Sequence, residues 1–274
     1  MAFLAGDSRI VLTWPIGMIV PLQDPTPFSP FGPEAWQTGL TAVRAAGFDG
    51  VELAITDPRL LESAAIAEAL EAEGLRLLSI TTGQSAAKEG LSLSSHDDAV
   101  RQRAVERIQA HMAFAEPFGA VVIIGSLRGA DGDLALLENS FRECAAFSNV
   151  SLALEPLNRY ESRLLNTMKA TVDMVERVGF ENLGLLYDTF HANIEEAVPV
   201  EAIRIAGDRL AHVHLADSNR WVPGRGHIRF DEVWEALEEI GYAHSVVLEP
   251  LPLPSADALM RAGADIRARW NLTT

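Results

Sequence analysis

Short apolar runs alternate along the chain with longer segments in which apolar positions recur every three or four residues. The runs at 10–14, 50–55, 75–81, 120–125, 151–155, 183–188, 210–216 and 245–249 are rich in Val, Ile and Leu, and they predict eight buried strands. The segments at 34–46, 57–73, 97–118, 167–178 and 231–240 predict helices, and each is followed by a glycine: Gly47, Gly74, Gly119, Gly179 and Gly241. Glycine takes the left-handed conformation that closes a helix without a Cβ penalty. Eight strand–helix units of roughly 34 residues, with no linker or low-complexity tract, predict a single (β/α)8 TIM barrel domain over residues 1–274. An open doubly wound sheet is the alternative, but no G-x-G-x-x-G follows the first strand.

Two connections depart from this regularity. Residues 17–33 contain five prolines together with Phe28 and Phe31, a stiff loop with an apolar tip, and residues 83–97 form a second long loop. Both would overhang the C-terminal face of a barrel, where active sites lie, as a lid or as plain packing.

Composition narrows the function. The 48% hydrophobic and 22% charged content is that of a globular protein. A net charge of −16 opposes nucleic-acid and anionic-membrane partners, because such binding depends on Lys and Arg neutralising phosphate. A small-molecule partner is expected. Cys144 is the single cysteine, which excludes an intramolecular disulfide and a thiolate zinc site. No leader or membrane-length apolar stretch is evident, so a cytoplasmic location is expected.

The chemistry concentrates in the second half, where four strand runs each end in a potential metal ligand: Glu155, Asp188, His214 and Glu249. A charge ending a buried strand is unfavourable unless it meets a counter-charge. Consecutive strand ends are neighbours around a barrel mouth, so the four side chains should converge. Three carboxylates and an imidazole make a hard, oxygen-rich site suited to Mn2+, with Mg2+, Co2+ or Zn2+ also possible. His212, two residues before His214, shares its interior face and is expected one layer below, orienting a carboxylate or filling core.

These residues carry a family resemblance. Glu155-Pro-Leu-Asn-Arg-Tyr-Glu161, Asp188-Thr-Phe-His191, His212-Val-His214 with Asn219-Arg220, and Glu249-Pro250 resemble the ketose 3-epimerases of the xylose isomerase-like barrels, with successive ligands 33, 26 and 35 residues apart. Thr82-Gly83-Gln84, Gly90-Leu-Ser-Leu93, Arg128-Gly129 and Leu251-Pro-Leu-Pro254 look like the 5-keto-L-gluconate epimerases, which extends the likeness over nearly the whole chain.

The resemblance implies that Glu155 and Glu249 act as opposed acid/bases on the carbon next to a ketone. It also implies that Glu161, His191 and Arg220 position the substrate, that the substrate is a keto sugar or a keto-hexonate, and that the protein is a homodimer or homotetramer. A keto acid needs a partner for its carboxylate, and Arg128, just after the fourth strand, is the expected one. Aldose–ketose isomerisation would use the same site. A sugar-binding barrel without turnover would not need two opposed bases. A Schiff-base aldolase finds no lysine at a strand end, since Lys88 falls in the second long loop and Lys169 in a helix.

Overall fold

The computed structural model describes residues 14–270, and within them eight parallel strands close into a barrel in chain order. The strands are β1 (Ile16–Pro21), β2 (Gly50–Ala54), β3 (Arg76–Thr81), β4 (Val121–Ile124), β5 (Leu152–Leu154), β6 (Leu183–Asp188), β7 (Leu210–Leu215) and β8 (Val246–Leu248). Closure is made by β1 on β8, with Ile16 opposite Val246 and Met18 opposite Leu248. The expected helices are α1 (Trp36–Ala45), α2 (Ser63–Glu73), α4 (Asp98–Ala115), α6 (Met168–Val178) and α9 (Phe230–Glu239). To these the structure adds α3 (Gly83–Glu89), α5 (Leu134–Ala145), α7 (Thr189–Glu195), α8 (Glu201–Ala206) and α10 (Ala256–Trp270).

Two expectations need correction. Residues 10–13 of the expected first strand lie outside the described residues, and the first strand of the barrel is the run Ile16-Gly-Met-Ile-Val-Pro21, of which all but Ile16 falls in the expected proline-rich loop. Gly17 there marks close packing and not a turn, because a Cβ on it would lie 2.6 Å from the Leu78 side chain. The second long loop is also not all loop, since α3 occupies its first half and places Lys88 on a helix.

The main apolar core lies between the strands and the helix ring, where Met18, Val51, Val122, Leu185 and Val213 pack outward. The barrel interior is divided. Ile19, Ala54, Leu78 and Val247 form one small apolar cluster and Ile123, Ala153 and Leu186 another. The interior also holds a buried polar group, Glu52, Ser79, His212 and His214. Register shifts build that group. Val51 faces Leu77 but Glu52 faces Ser79, and Leu185 faces Leu210 but Leu186 faces His212, so Leu78 and Ala211 are extra residues in their strands. Such bulges re-aim side chains. Here they set Ser79 opposite Glu52 and bring His214 level with Asp188.

Candidate metal centre and active site

Each of the four expected ligands stands at the C-terminal end of its strand. Glu155 and Glu249 follow β5 and β8 directly and continue the ladder through N–H bonds to the carbonyls of Ile124 and Leu215, both 3.1 Å. Asp188 is the last residue of β6, and its Oδ1 accepts from the backbone N–H groups of Phe190 (2.6 Å) and His191 (3.2 Å), which caps α7. Capping holds that carboxylate in place and leaves Oδ2 free.

One potential ligand atom from each of Glu155, Asp188, His214 and Glu249 lies within 4.8 Å of the other three. His214 Nδ1 is 3.7 Å from Glu155 Oε1 and 3.5 Å from Glu249 Oε2. Glu155 Oε1, Asp188 Oδ2 and His214 Nδ1 are buried and have no hydrogen-bond partner among the described residues. Buried polar atoms are rarely left unpaired, and three pointing at one place fit a cation. The electrostatics agree. Burial, together with Glu249 and Glu155, pushes the Asp188 carboxyl up to about 6, although His191 and Arg220 pull it down. Burial opposes charge on His214, but Glu52 and Glu249 outweigh it and hold the imidazole well above its ordinary range. Both shifts are those of a site that lacks positive charge. The oxygen-rich donor set with one imidazole suits a divalent metal of the Mn2+ or Mg2+ type.

A cavity of about 260 Å3 opens onto Glu155, Glu249, Glu161, His191 and Arg220. Asp188 and His214 lie behind it, almost wholly buried. Arg220 sits in the left-handed region at φ 58°, in the loop after β7. Asp217 fixes that loop by accepting the N–H groups of Ser218, Gly224 and Ile228 at 2.7–3.1 Å. The Arg220 guanidinium lies 4.5 Å from the Phe28 ring centre and 4.6 Å from that of Phe190, and its Nη2 donates to Glu249 Oε2 at 2.6 Å. Sandwiched between two rings, the cation is held by its faces as well as by its N–H groups. Phe28 comes from the proline-rich loop, whose Pro25, Thr26 and Pro27 also line the cavity.

His191 has one defined orientation. Its Nδ1 accepts the backbone N–H of Asn158 (3.2 Å) and the Asn158 side-chain amide (2.8 Å). A backbone N–H can only donate, so the neutral ring carries its proton on Nε2. That nitrogen lies 3.8 Å from Glu155 Oε1 and 3.9 Å from Asp188 Oδ2, at the edge of the cavity. Asn158 also donates to Glu161 Oε1 at 2.9 Å, which ties the two expected substrate contacts together.

Arg128 is placed differently from its expected role. Its side chain is wholly buried and is not among the cavity-lining residues, and its Nη1 donates to the Glu155 carbonyl oxygen. Burial lowers its pKa to about 10, with Glu155 and Glu161 opposing, so it remains cationic at neutral pH. It steadies the main chain of a candidate base and does not reach into the cavity. The additional cation that lines the cavity is Lys88, at the mouth, 3.4 Å from Asp24.

His212 lies below His214 with its Nε2 3.3 Å from Glu52 Oε2 and 3.1 Å from Ser79 Oγ. Glu52, Asn158 and Gly125 are the site residues that sequence reasoning passed over. Glu52 carried a readable signal, a charge in the middle of an apolar run.

The Xylose isomerase-like TIM barrel family profile matches residues 40–267. The chain belongs to that family. It is 34% identical to an L-ribulose 3-epimerase of Mesorhizobium japonicum over 224 residues, 77% of this chain and 73% of that protein. It is 43% identical to a D-psicose 3-epimerase of Enterocloster bolteae over 122 residues, a match that spans 43% of this chain and 40% of that relative's length. The structure of a D-psicose 3-epimerase with D-tagatose from Clostridium cellulolyticum H10 superposes with a TM-score of 0.78 at 27% identity, covering 95% of this chain and 100% of that one. Among the described residues no helix is long and apolar enough to cross a membrane.

Proposed function

We propose that this protein is a divalent-metal-dependent sugar epimerase that inverts the carbon next to the ketone of a keto sugar. The observation that carries the reading is the convergence of Glu155 Oε1, Asp188 Oδ2 and His214 Nδ1, all unpartnered, beside Glu249, in a cavity that Glu155 and Glu249 both line. The named 3-epimerase relatives support it. A cation held by Glu155, Asp188, His214 and Glu249, most readily Mn2+, supplies Lewis acidity that makes a C–H bond next to a carbonyl more acidic.

The protein's own groups do the rest. One of Glu155 and Glu249 removes the proton from the carbon and the other delivers a proton to the opposite face. Burial would protonate Glu249, but Arg220, whose Nη2 donates to Glu249 Oε2, opposes it and keeps the carboxyl ionised as a base. His191, with its proton fixed on Nε2, can donate to a substrate oxygen as negative charge develops there. Glu161, held by Asn158 and 3.6 Å from Arg220, is a hydroxyl acceptor on the same wall.

The keto-hexonate reading came from the resemblance, with Arg128 as the expected carboxylate partner; Arg128 does not line the cavity, and Lys88 at the mouth already faces Asp24. The geometry therefore favours a neutral ketose over a substrate with a carboxylate. NMR in D2O, with Mg2+ as a diamagnetic cation, tests both levels when D-tagatose, D-fructose, 5-keto-L-gluconate and D-tagaturonate are offered separately. Deuterium at the carbon next to the ketone together with the epimeric product from a neutral ketose is the expected result. Faster turnover of either keto acid would restore a carboxylate partner in the site, an aldose product would make the reaction an isomerisation, and no exchange with any substrate would overturn the catalytic reading.

A further inference from the structure

Glu52 is a fully buried carboxylate inside the barrel, and among the described residues no Lys or Arg stands beside it. Its Oε2 alone gathers the partners: Ser79 Oγ at 2.6 Å, His214 Nε2 at 3.0 Å and His212 Nε2 at 3.3 Å. These contacts are at or near hydrogen-bond length and leave no space for an ion among Glu52, His212 and His214, although the three residue types could otherwise hold one.

We propose that Glu52 is the positioning residue of the metal centre, holding the proton of His214 on Nε2 so that the bare Nδ1 faces Glu155 and Glu249. The inference rests on the metal-dependent reading above and adds to it a residue from the opposite side of the barrel. An ionised carboxylate can only accept, so an imidazole nitrogen 3.0 Å from it carries a proton. In a neutral ring the other nitrogen is then a lone pair, and His214 Nδ1 is the nitrogen with no hydrogen-bond partner among the described residues. Ser79 donates to the same oxygen and aims it, and His212 Nε2 stands below, 3.1 Å from Ser79 Oγ and 3.3 Å from Glu52 Oε2. The β3 register shift that sets Ser79 opposite Glu52 is thus part of the metal site's construction. A carboxylate behind a ligating histidine fixes the tautomer and raises the ring's basicity, and loss of such a partner typically weakens metal binding by about 10- to 100-fold.

The test is Mn2+ titration of the purified full chain, followed by electron paramagnetic resonance, for wild type and Glu52→Gln. Circular dichroism of the metal-free proteins checks folding. The expected result is a folded variant whose Mn2+ dissociation constant rises about 10- to 100-fold. A folded variant that binds Mn2+ as tightly as wild type overturns the positioning role. A wild type that binds no divalent cation overturns the metal reading instead. Should Glu52→Gln fail to fold, 15N-histidine NMR of the Mg2+-loaded wild type decides. A slowly exchanging His214 Nε2 proton supports the role, and an Nε2 in rapid exchange with water overturns it.

Discussion

Gly125, at the end of β4, gives room to one oxygen of Glu155, and Gly125→Ala probes how closely the candidate base must be placed. A Cβ at this position would lie 2.5 Å from Glu155 Oε2, where ordinary contact begins near 3.4 Å, so the carboxylate must retreat by about 0.9 Å. Glu155 Oε1 belongs to the same rigid group and lies 3.7 Å from His214 Nδ1, so the shift disturbs metal coordination and proton transfer together. A displacement of about 1 Å at a reacting group costs on the order of 100-fold in rate, or roughly 2.7 kcal/mol. Circular dichroism accompanies the kinetics, so that loss of fold is told apart from displacement of the carboxylate. A double-mutant cycle isolates the steric cause. Glu155→Asp draws the carboxylate back by about 1.5 Å, one carbon–carbon bond, and so vacates the place where the new methyl would collide. Gly125→Ala should therefore lower kcat about 100-fold alone and less than about fivefold in the Glu155→Asp background. A folded Gly125→Ala enzyme within threefold of wild-type kcat, or losses that simply multiply in the double variant, would refute the placement of Glu155.

Glu155→Gln and Glu249→Gln should each reduce epimer formation by at least about 100-fold. Each should still exchange the C–H proton of one epimer with D2O, and the two variants should favour opposite epimers; exchange of both epimers by either variant would sink the two-base mechanism. Cation affinity should rise with pH, because the raised His214 and the Asp188 carboxyl near 6 must both lose protons on binding. Calorimetry with Mn2+ in buffers of different ionisation heat should find more protons released per cation below pH 6 than at pH 8, and pH-independent binding contradicts the site. Stability should also depend on pH through His111, whose Nδ1 and Nε2 lie 2.8 and 3.0 Å from the carbonyls of Arg107 and Ile55. The two carbonyls favour the charged ring, but burial outweighs them and pushes this imidazole from 6.5 down to about 4 in the folded protein. The unfolded chain therefore takes up the proton first, so the stability is complete above pH 6.5 and about 3 kcal/mol is lost as pH falls to 4. Urea midpoints of wild type and His111→Gln between pH 4 and 7.5 measure this; equal pH dependence in the two proteins would refute it.

The parts of this site that were readable in the sequence share one physical trait: a charge that ends a buried apolar run. Glu155, Asp188, His214 and Glu249 each show it, and barrel topology then brings them together without any knowledge of side-chain direction. The barrel itself was readable for a similar reason, since strands β2 to β8 are apolar runs set apart by helices that mostly end on glycine. β1 was misread because Gly17 and the flanking prolines carry the usual marks of a loop, whereas Gly17 here answers to the Leu78 side chain of β3 packed against it.

Arg128 and Glu52 show where such reading stops. Arg128 was correctly placed after β4, but its side chain leaves the tight turn at Ser126–Arg128 toward the Glu155 carbonyl and not into the cavity, a direction that the sequence does not carry. Glu52 has the opposite history. Its charge was visible inside β2, yet strand alternation alone cannot tell whether such a residue faces helices, solvent or the barrel axis. The answer lies in a register shift on the neighbouring strand, where the extra residue Leu78 puts Ser79 opposite Glu52, and in a second shift that brings His212 and His214 to the same oxygen. Bulges belong to the pairing of two strands and leave no mark in either one taken alone. The ligands of this centre are consequently legible as residues, whereas the groups that orient them are legible only as contacts.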